Sequence, residues 1–357
     1  MKVYLRTYGC QANISDSEAM AGILKEKNYE LVDNIKDSDV VIANTCSVKS
    51  KTQNKILSFL NSIPEDKKVL VGGCLTKTID VRKYVKNVHS VFDTNSIIKV
   101  DKLIQIGGDN FSEKKEERIN IPVIRKSNDT GIIVIEQGCT SNCTFCATKL
   151  ARGNLKSYRI GDIKRELEKA VKDGCKKIYL TGQDTGCYGF DIKTSLPGLL
   201  NEIVTVEGDY NIRIGMMNPW HTKKILNELI NSYKNDKIMK FLHIPVQSGS
   251  EKVVKEMKRI HSVEDFKFIV KRFRENFEEI TIATDIIVGY PTETEKDFER
   301  TVGLIREIKP EVLNISMYGA RQGTIGAGLK PLKTEEVKRR SRIITEEYRK
   351  IRKEIRP

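Results

Sequence analysis

Cys139, Cys143 and Cys146 stand in the run Gly138-Cys139-Thr140-Ser141-Asn142-Cys143-Thr144-Phe145-Cys146, a CxxxCxxC spacing with no fourth cysteine behind it. Structural zinc takes four closed ligands, usually as two separated CxxC pairs, whereas iron–sulfur clusters are held by thiolates crowded into one loop. Three thiolates leave one metal corner open for a substrate. None of the four histidines (His89, His221, His243, His261) lies near this run. The spacing therefore reads as an iron–sulfur seat; the competing readings are a chance group of buried thiols or a zinc loop completed from elsewhere.

A second trio is spread along the chain. Residues 2–6, 38–43 and 68–72 read as strands, and Cys10, Cys46 and Cys74 follow the first, second and third of them. In an open parallel sheet the loops after the strand C-termini face one crevice, so cysteines distant in sequence converge. Again three ligands are available with no clear fourth. The alternative is three unrelated small buried residues at strand ends. Cys175 and Cys187 receive no role beyond packing in the core or rim.

The elements that must carry these loops alternate short apolar runs with helical patterns, which implies βα units and parallel sheets in an α/β protein. A helix is expected over 15–27, opened by the cap-like Ser15-Asp16-Ser17-Glu18. Further strands are expected near 131–136, 177–181, 210–215, 238–244, 280–288 and 312–318, with helices such as 162–173 and 222–234 between them. Six such repeats suggest a partial barrel, whose polar, glycine-rich rim would carry chemistry at the strand C-termini. The rim includes Thr181-Gly182-Gln183-Asp184-Thr185-Gly186, Asn218-Pro219-Trp220-His221, His243-Ile244-Pro245-Val246-Gln247-Ser248-Gly249 and Asp285 to Pro291. Periodicity fades around Gly107-Gly108-Asp109-Asn110 and the charged stretch Glu113 to Arg118, which reads as a linker.

The 357 residues, 39% of them hydrophobic, suffice for two cores. No apolar stretch reaches the length of a membrane span, and Met1 to Arg6 looks like a strand rather than a signal peptide, so a cytoplasmic protein with no membrane partner is expected. Eight cysteines in such a chain are expected to serve metals rather than disulfides. A formal charge of +14 and a pI near 9.2 suggest a polyanionic partner, or simply a solvated lysine-rich surface.

CxxxCxxC with an aromatic before its last cysteine resembles the radical S-adenosylmethionine (SAM) enzymes. The resemblance implies a [4Fe-4S] cluster on Cys139, Cys143 and Cys146, with SAM chelating the open iron. One electron would then split SAM into methionine and a 5′-deoxyadenosyl radical. Arg6-Thr7-Tyr8-Gly9-Cys10-Gln11-Ala12-Asn13, Asn44-Thr45-Cys46-Ser47-Val48 and Gly72-Gly73-Cys74 resemble the N-terminal domain of the methylthiotransferases. That likeness implies an auxiliary [4Fe-4S] cluster on Cys10, Cys46 and Cys74. Ala151-Arg152-Gly153-Asn154-Leu155-Lys156-Ser157-Tyr158 and Phe241 to Ser248 are similar to the archaeal and eukaryotic subfamily acting on tRNA. The implied reaction converts N6-threonylcarbamoyladenosine at tRNA position 37, beside the anticodon, into its 2-methylthio derivative. One SAM would methylate a sulfur at the auxiliary cluster; the radical from a second would take hydrogen from adenine C2. A sulfur donor and an electron donor (a reductase, flavodoxin or ferredoxin) are implied as partners.

SAM offers an amino group, a carboxylate, a ribose and an adenine, so its pocket needs carboxamide or carboxylate acceptors and close backbone approach. Gln183, Asp184 and Gln247 are the lining candidates. The plain alternatives are that Asp184 caps a helix, Gln247 is a solvated turn residue and His243 is a satisfied core histidine.

The expected division is an N-terminal open-sheet domain over 1–106, a linker over 107–127, a radical SAM partial (βα)6 TIM-like barrel over 128–332, and a basic C-terminal helix over 333–357. The family's C-terminal TRAM β-barrel is expected to be absent. Lys333 to Pro357 holds ten basic and five acidic residues, which would neutralise phosphates or form a solvated helix packed through Val337, Ile343, Ile344 and Ile351. Arg321 to Ala327 departs from the family pattern and is expected to alter the loop near the auxiliary cluster. Alternatives are a methylthiotransferase acting on another tRNA adenosine or a ribosomal protein, a non-enzymatic iron–sulfur carrier, and a zinc-dependent nucleic-acid module.

Overall fold

The computed structural model describes residues 1–48 and 50–355. Its first unit runs β1 (Lys2–Thr7), α1 (Gln11–Glu26), β2 (Glu30–Val32), β3 (Val40–Thr45), α2 (Ser50–Asn61), β4 (Lys68–Gly73), β5 (Ser90–Phe92), α3 (Val100–Ile106) and β6 (Gly108–Asn110). The six strands form one parallel sheet in the order β2-β1-β3-β4-β5-β6. Because side chains alternate along a strand, Val40, Ile42 and Leu70 pack on one face against Met20 and Leu24 of α1 and Leu103 of α3. Val41, Ala43, Val69 and Val71 pack on the other against Ile56 and Leu60 of α2. β3 is buried along its whole length, as a central parallel strand covered on both faces should be. The chain leaves β1 toward β2 on one side and returns as β3 on the other, which opens a crevice between β1 and β3 at their C-terminal ends.

The second unit continues with β7 (Thr130–Val134), β8 (Glu136–Gln137), α4 (Ala147–Arg152), β9 (Lys156–Ser157), α5 (Ile160–Lys172), β10 (Lys177–Thr181), α6 (Leu196–Ile203), β11 (Asn211–Ile214), α7 (Pro219–Lys224), α8 (Leu226–Tyr233), β12 (Phe241–His243), α9 (Glu251–Glu256), α10 (Val263–Asn276), β13 (Thr281–Val288), α11 (Glu295–Ile308), β14 (Val312–Met317) and α12 (Thr334–Ile355). Two parallel three-stranded sheets, β7-β10-β11 and β12-β13-β14, meet where Ile212 bridges Ile238 and Met217 N donates to His243 O at 2.9 Å. Six strands thus make an open arc, lined outside by α5, α6, α8, α10, α11 and α12 around one large apolar core. Capping boxes Ser262/Asp265 and Thr294/Asp297 start α10 and α11.

Several expected boundaries move, each for a physical reason. The helix expected at 15–27 begins at Gln11, because the polar residues that look like a cap are buried and bonded elsewhere: Asp16 to two arginines, Ser17 to Thr7 and Asn44, Glu18 to the Lys126 backbone. The helix expected at 222–234 is two, α7 and α8, since Asn218 caps and Pro219 starts a separate turn. Gly108–Asn110, read as linker, is the sheet's edge strand β6. It pairs with β5 and is held by polar side chains, Ser90 Oγ donating to Gly108 O at 2.5 Å and Arg82 on Asp109 at 2.6 Å, so no apolar pattern marks it. α12 packs through Val337, Ile344 and Ile351, with Ile343 partly buried. Its Arg340 is buried in an ion pair with Glu293 at 2.7 Å, so that guanidinium is turned inward. No described helix is long and apolar enough to cross a membrane.

Candidate functional site: two cysteine triads joined by one short helix

The first loop is clamped at its base. β8 and β9 pair antiparallel, and Cys139 N donates to Gly153 O at 3.2 Å. Gly138 has φ +82°, and a Cβ there would lie 2.0 Å from Asn154 O, so only glycine closes this turn. The loop's own donors then turn toward sulfur. Ser141 N lies 3.3 Å from Cys139 Sγ, and Lys149 N lies 3.4 Å from Cys146 Sγ, which caps α4. Arg259, buried after α9, brings Nη1 to 3.8 Å from Cys143 Sγ and donates to Pro245 O at 2.8 Å. Phe145 sits against Val253, Met257 and Tyr290, which anchors the loop to the barrel and accounts for an aromatic before the last cysteine.

Behind this loop lies a buried polar group that the sequence reading missed in part. Asp184 Oδ2 meets His221 Nδ1 at 2.7 Å and Oδ1 accepts from Asn218 N at 2.9 Å; His221 Nε2 lies 3.1 Å from Thr140 Oγ1. His221 is therefore near the cysteine run in space though far in sequence, which corrects the expectation drawn from spacing. Cys187, expected only to pack, sits where its sulfur, Asp184 and Cys139 Sγ lie within 4.8 Å of one another. Its thiol hydrogen bond holds Cys139 below the usual thiol range against the opposing effect of burial. Burial, and then the Asp184 charge, pushes the Glu136 carboxyl well above the usual carboxylate range, and its Oε1 accepts from Asp184 N at 2.9 Å.

Of the three lining candidates, Gln183 accepts from Gly138 N and Asp184 is engaged as above, so both hold the loop in place. Asp184 makes no cap bond to its own turn. Gln247 is buried rather than solvated, has φ +73°, and bonds through its backbone to Asp285 O and Ile287 N; its carboxamide takes no hydrogen bond among the described residues. A non-glycine held at positive φ on the rim is the kind of backbone strain that gathers at ligand sites. His243 is a partly exposed rim residue paired with Asp285 at 2.6 Å, not a core histidine.

The second triad occupies the crevice between β1 and β3. Cys10 starts α1, Cys46 follows β3, and Cys74 opens a tight turn after β4. Gly9 (φ +114°) lets Cys46 in: a Cβ there would lie 2.9 Å from Cys46 Cβ and 3.2 Å from its sulfur. Asn13 gathers the set. Its Oδ1 lies 3.9 Å from Cys10 Sγ, 3.7 Å from Cys74 Sγ and 2.9 Å from Arg152 Nη2, while its amide donates to Tyr8 O and Thr45 O, both at 2.8 Å. Arg152 pairs with Asp16 at 2.5 Å and Arg118 pairs with the same carboxylate at 2.8 Å, all three almost fully buried. Arg321 lies beside Cys46, fixed by Gln53 Oε1 at 3.1 Å and Val48 O at 2.9 Å, so the 321–327 segment does reach this site.

Both triads fit an iron–sulfur cluster by the chemistry of their donors. Each gathers three sulfurs beside a buried guanidinium, and the second has two arginines on one carboxylate, an excess positive charge that thiolates would balance. Without metal, burial pushes Cys74 and Cys146 up to about 11, so loading a cluster must release their protons. One short helix links the two sites. Cys146 caps α4 and Arg152 ends it, and six residues at 1.5 Å rise span only about 9 Å.

An open arc of six parallel strands with a CxxxCxxC loop after the first defines a radical SAM protein. The Radical SAM superfamily matches residues 133–305, and a family described as uncharacterized protein family UPF0004 matches residues 2–93. The chain is 41% identical to a probable threonylcarbamoyladenosine tRNA methylthiotransferase of Pyrococcus horikoshii, over 96% of this chain and 83% of that protein. It is 43% identical to the one of Archaeoglobus fulgidus, over 98% and 84%. It is 38% identical to the threonylcarbamoyladenosine tRNA methylthiotransferase of Homo sapiens, over 96% and 61%. The radical SAM methyltransferase TsrM of Kitasatospora setae, solved with cobalamin and a [4Fe-4S] cluster, shares the fold: TM-score 0.66 at 12% identity, over 91% of this chain and 76% of that one. The chain belongs to the threonylcarbamoyladenosine tRNA methylthiotransferase family.

Proposed function

We propose that this enzyme is a radical SAM methylthiotransferase that installs a methylthio group at C2 of N6-threonylcarbamoyladenosine at position 37 of tRNA. Family membership over nearly the whole chain carries the reading, and neither a ribosomal-protein substrate nor an iron–sulfur carrier draws comparable support. Its cofactors are SAM and [4Fe-4S] clusters, which Cys139, Cys143 and Cys146 and, separately, Cys10, Cys46 and Cys74 would hold. Loaded, the clusters supply the electron that cleaves SAM and the sulfur chemistry that ends as a methylthio group.

The residues around them have tasks of their own. Ser141 N, Lys149 N and Arg259 favour thiolate at the first triad, and His221, set by Asp184, steadies Thr140 in the same loop. Gln183 and Asp184 shape the SAM pocket from below; Gln247, whose carboxamide has no hydrogen-bond partner among the described residues, lines it. An electron donor of the reductase, flavodoxin or ferredoxin class and a sulfur donor complete the reaction in the cytoplasm. Mass spectrometry of nucleosides from tRNA incubated with reconstituted enzyme, SAM, reductant and sulfide tests the substrate. The expected product is the 2-methylthio derivative; a methylthio mark absent from RNA but present on a ribosomal protein would reject the reading.

A further inference from the structure

Arg152 stands out because its location serves no local purpose. It is the last residue of α4, the helix that Cys146 opens, yet its guanidinium leaves the barrel and lies buried in the other unit. There it donates to Asn13 Oδ1 at 2.9 Å, the oxygen that the thiols of Cys10 and Cys74 also face, and to Asp16 Oδ2 at 2.5 Å. Burial alone would lower its proton affinity, but the charges of Asp16, Cys74 and Cys10 together raise it, so it stays cationic. A buried charge is retained only where partners stabilise it. Asp16 is shared with Arg118, so one cationic charge here is left for the sulfurs. Thr94 Oγ1 on Ala151 O at 2.8 Å fixes the same end of α4 to the sheet domain.

We infer that Arg152 is a positioning residue that sets the reduction potential of the auxiliary cluster, with Asp16 as its counterweight. The inference rests on the reading of Cys10, Cys46 and Cys74 as cluster ligands. A cation next to a cluster favours the reduced, more negative state, and a carboxylate disfavours it. Removing either partner should therefore move the potential in opposite directions.

The test uses the full chain with Cys139, Cys143 and Cys146 all changed to alanine, reconstituted anaerobically with iron and sulfide so that only the auxiliary site can load. Iron per chain and the midpoint potential by spectroscopic titration are read for this background and for added Arg152→Gln, Arg152→Lys and Asp16→Asn. The expected result is a more negative potential for Arg152→Gln, a more positive one for Asp16→Asn and a value near the parent for Arg152→Lys. Equal potentials in all four loaded proteins, or shifts of one sign for both Gln and Asn, overturn the inference. If Arg152→Gln fails to fold, Asp16→Asn and Arg152→Lys still decide it. A parent background that binds no iron would instead sink the cluster assignment itself, which keeps the two failures distinct.

Discussion

At the scale of single residues, the site depends on groups that touch sulfur without being cysteine. Asp184 orients His221, and His221 orients Thr140, the residue next to Cys139. Asp184→Asn keeps the shape but removes the charge that fixes the imidazole, and the loss of such outer contacts costs about 10–100-fold in activity or metal affinity. We expect 5′-deoxyadenosine formation to fall within that range; an unchanged rate would show that the triad needs no such support. At Gly9, alanine must leave a φ of +114° or push Cys46 aside. Gly9→Ala should thus lose the iron of the auxiliary site while retaining that of the first loop, as iron analysis of chains carrying one triad at a time would reveal.

At the scale of elements, the positions of the six cysteines were legible in the chain because each follows a strand whose apolar run is local. The β1, β3 and β4 loops met as parallel topology requires. What was not legible is convergence across the fold. His221, Cys187 and Arg259 reach the first triad from three different connections; the Asn218-Pro219-Trp220-His221 run marked His221 as a rim residue, but nothing local shows that any of the three meets the cysteine loop. Arg152 was visible inside its motif but its destination was not, since the direction of a helix end depends on packing. The cap-like Ser15-Asp16-Ser17-Glu18 misled for the same reason: its polarity serves the site, not the helix start.

The turn after α9 carries its own pH signature. His261 is buried, and desolvation, then the neighbouring Arg259 charge, hold it down to about 3. Above pH 6.5 neither the folded nor the unfolded form is protonated, so the residue is silent. Below that the unfolded chain takes up a proton that the folded chain refuses, so stability falls with pH, at about 1.4 kcal/mol per unit, until the folded value is reached. Between pH 6.5 and 5 the protein should lose about 2 kcal/mol more than His261→Asn does, measured by denaturant unfolding; parallel curves would refute the assignment. α12 belongs at this scale too. Ile344 is fully buried in the barrel core, so Ile344→Ala should cost about 2–5 kcal/mol in the same assay, whereas a solvated tail would lose almost nothing.

At the scale of the whole molecule, the net charge of +14 is divided between structure and surface. Arg340 is consumed by Glu293, and Arg339 pairs with Glu295 and Glu336, while Lys338, Arg342 and Arg349 stay exposed on α12. Binding to tRNA should weaken with salt, with a slope of roughly −0.9 per duplex phosphate contact. Lys338→Glu/Arg342→Glu should flatten that slope by about 1–2 in filter binding; an identical slope would place the RNA on another face.

The two triads are expected to do different work. The most direct measurement follows 5′-deoxyadenosine and methylthiolated nucleoside together in reactions of the parent, Cys143→Ala and Cys46→Ala enzymes on the same tRNA. Both products are expected from the parent, neither from Cys143→Ala, and 5′-deoxyadenosine without the methylthio nucleoside from Cys46→Ala. An undiminished methylthio yield from Cys46→Ala would contradict this division of work.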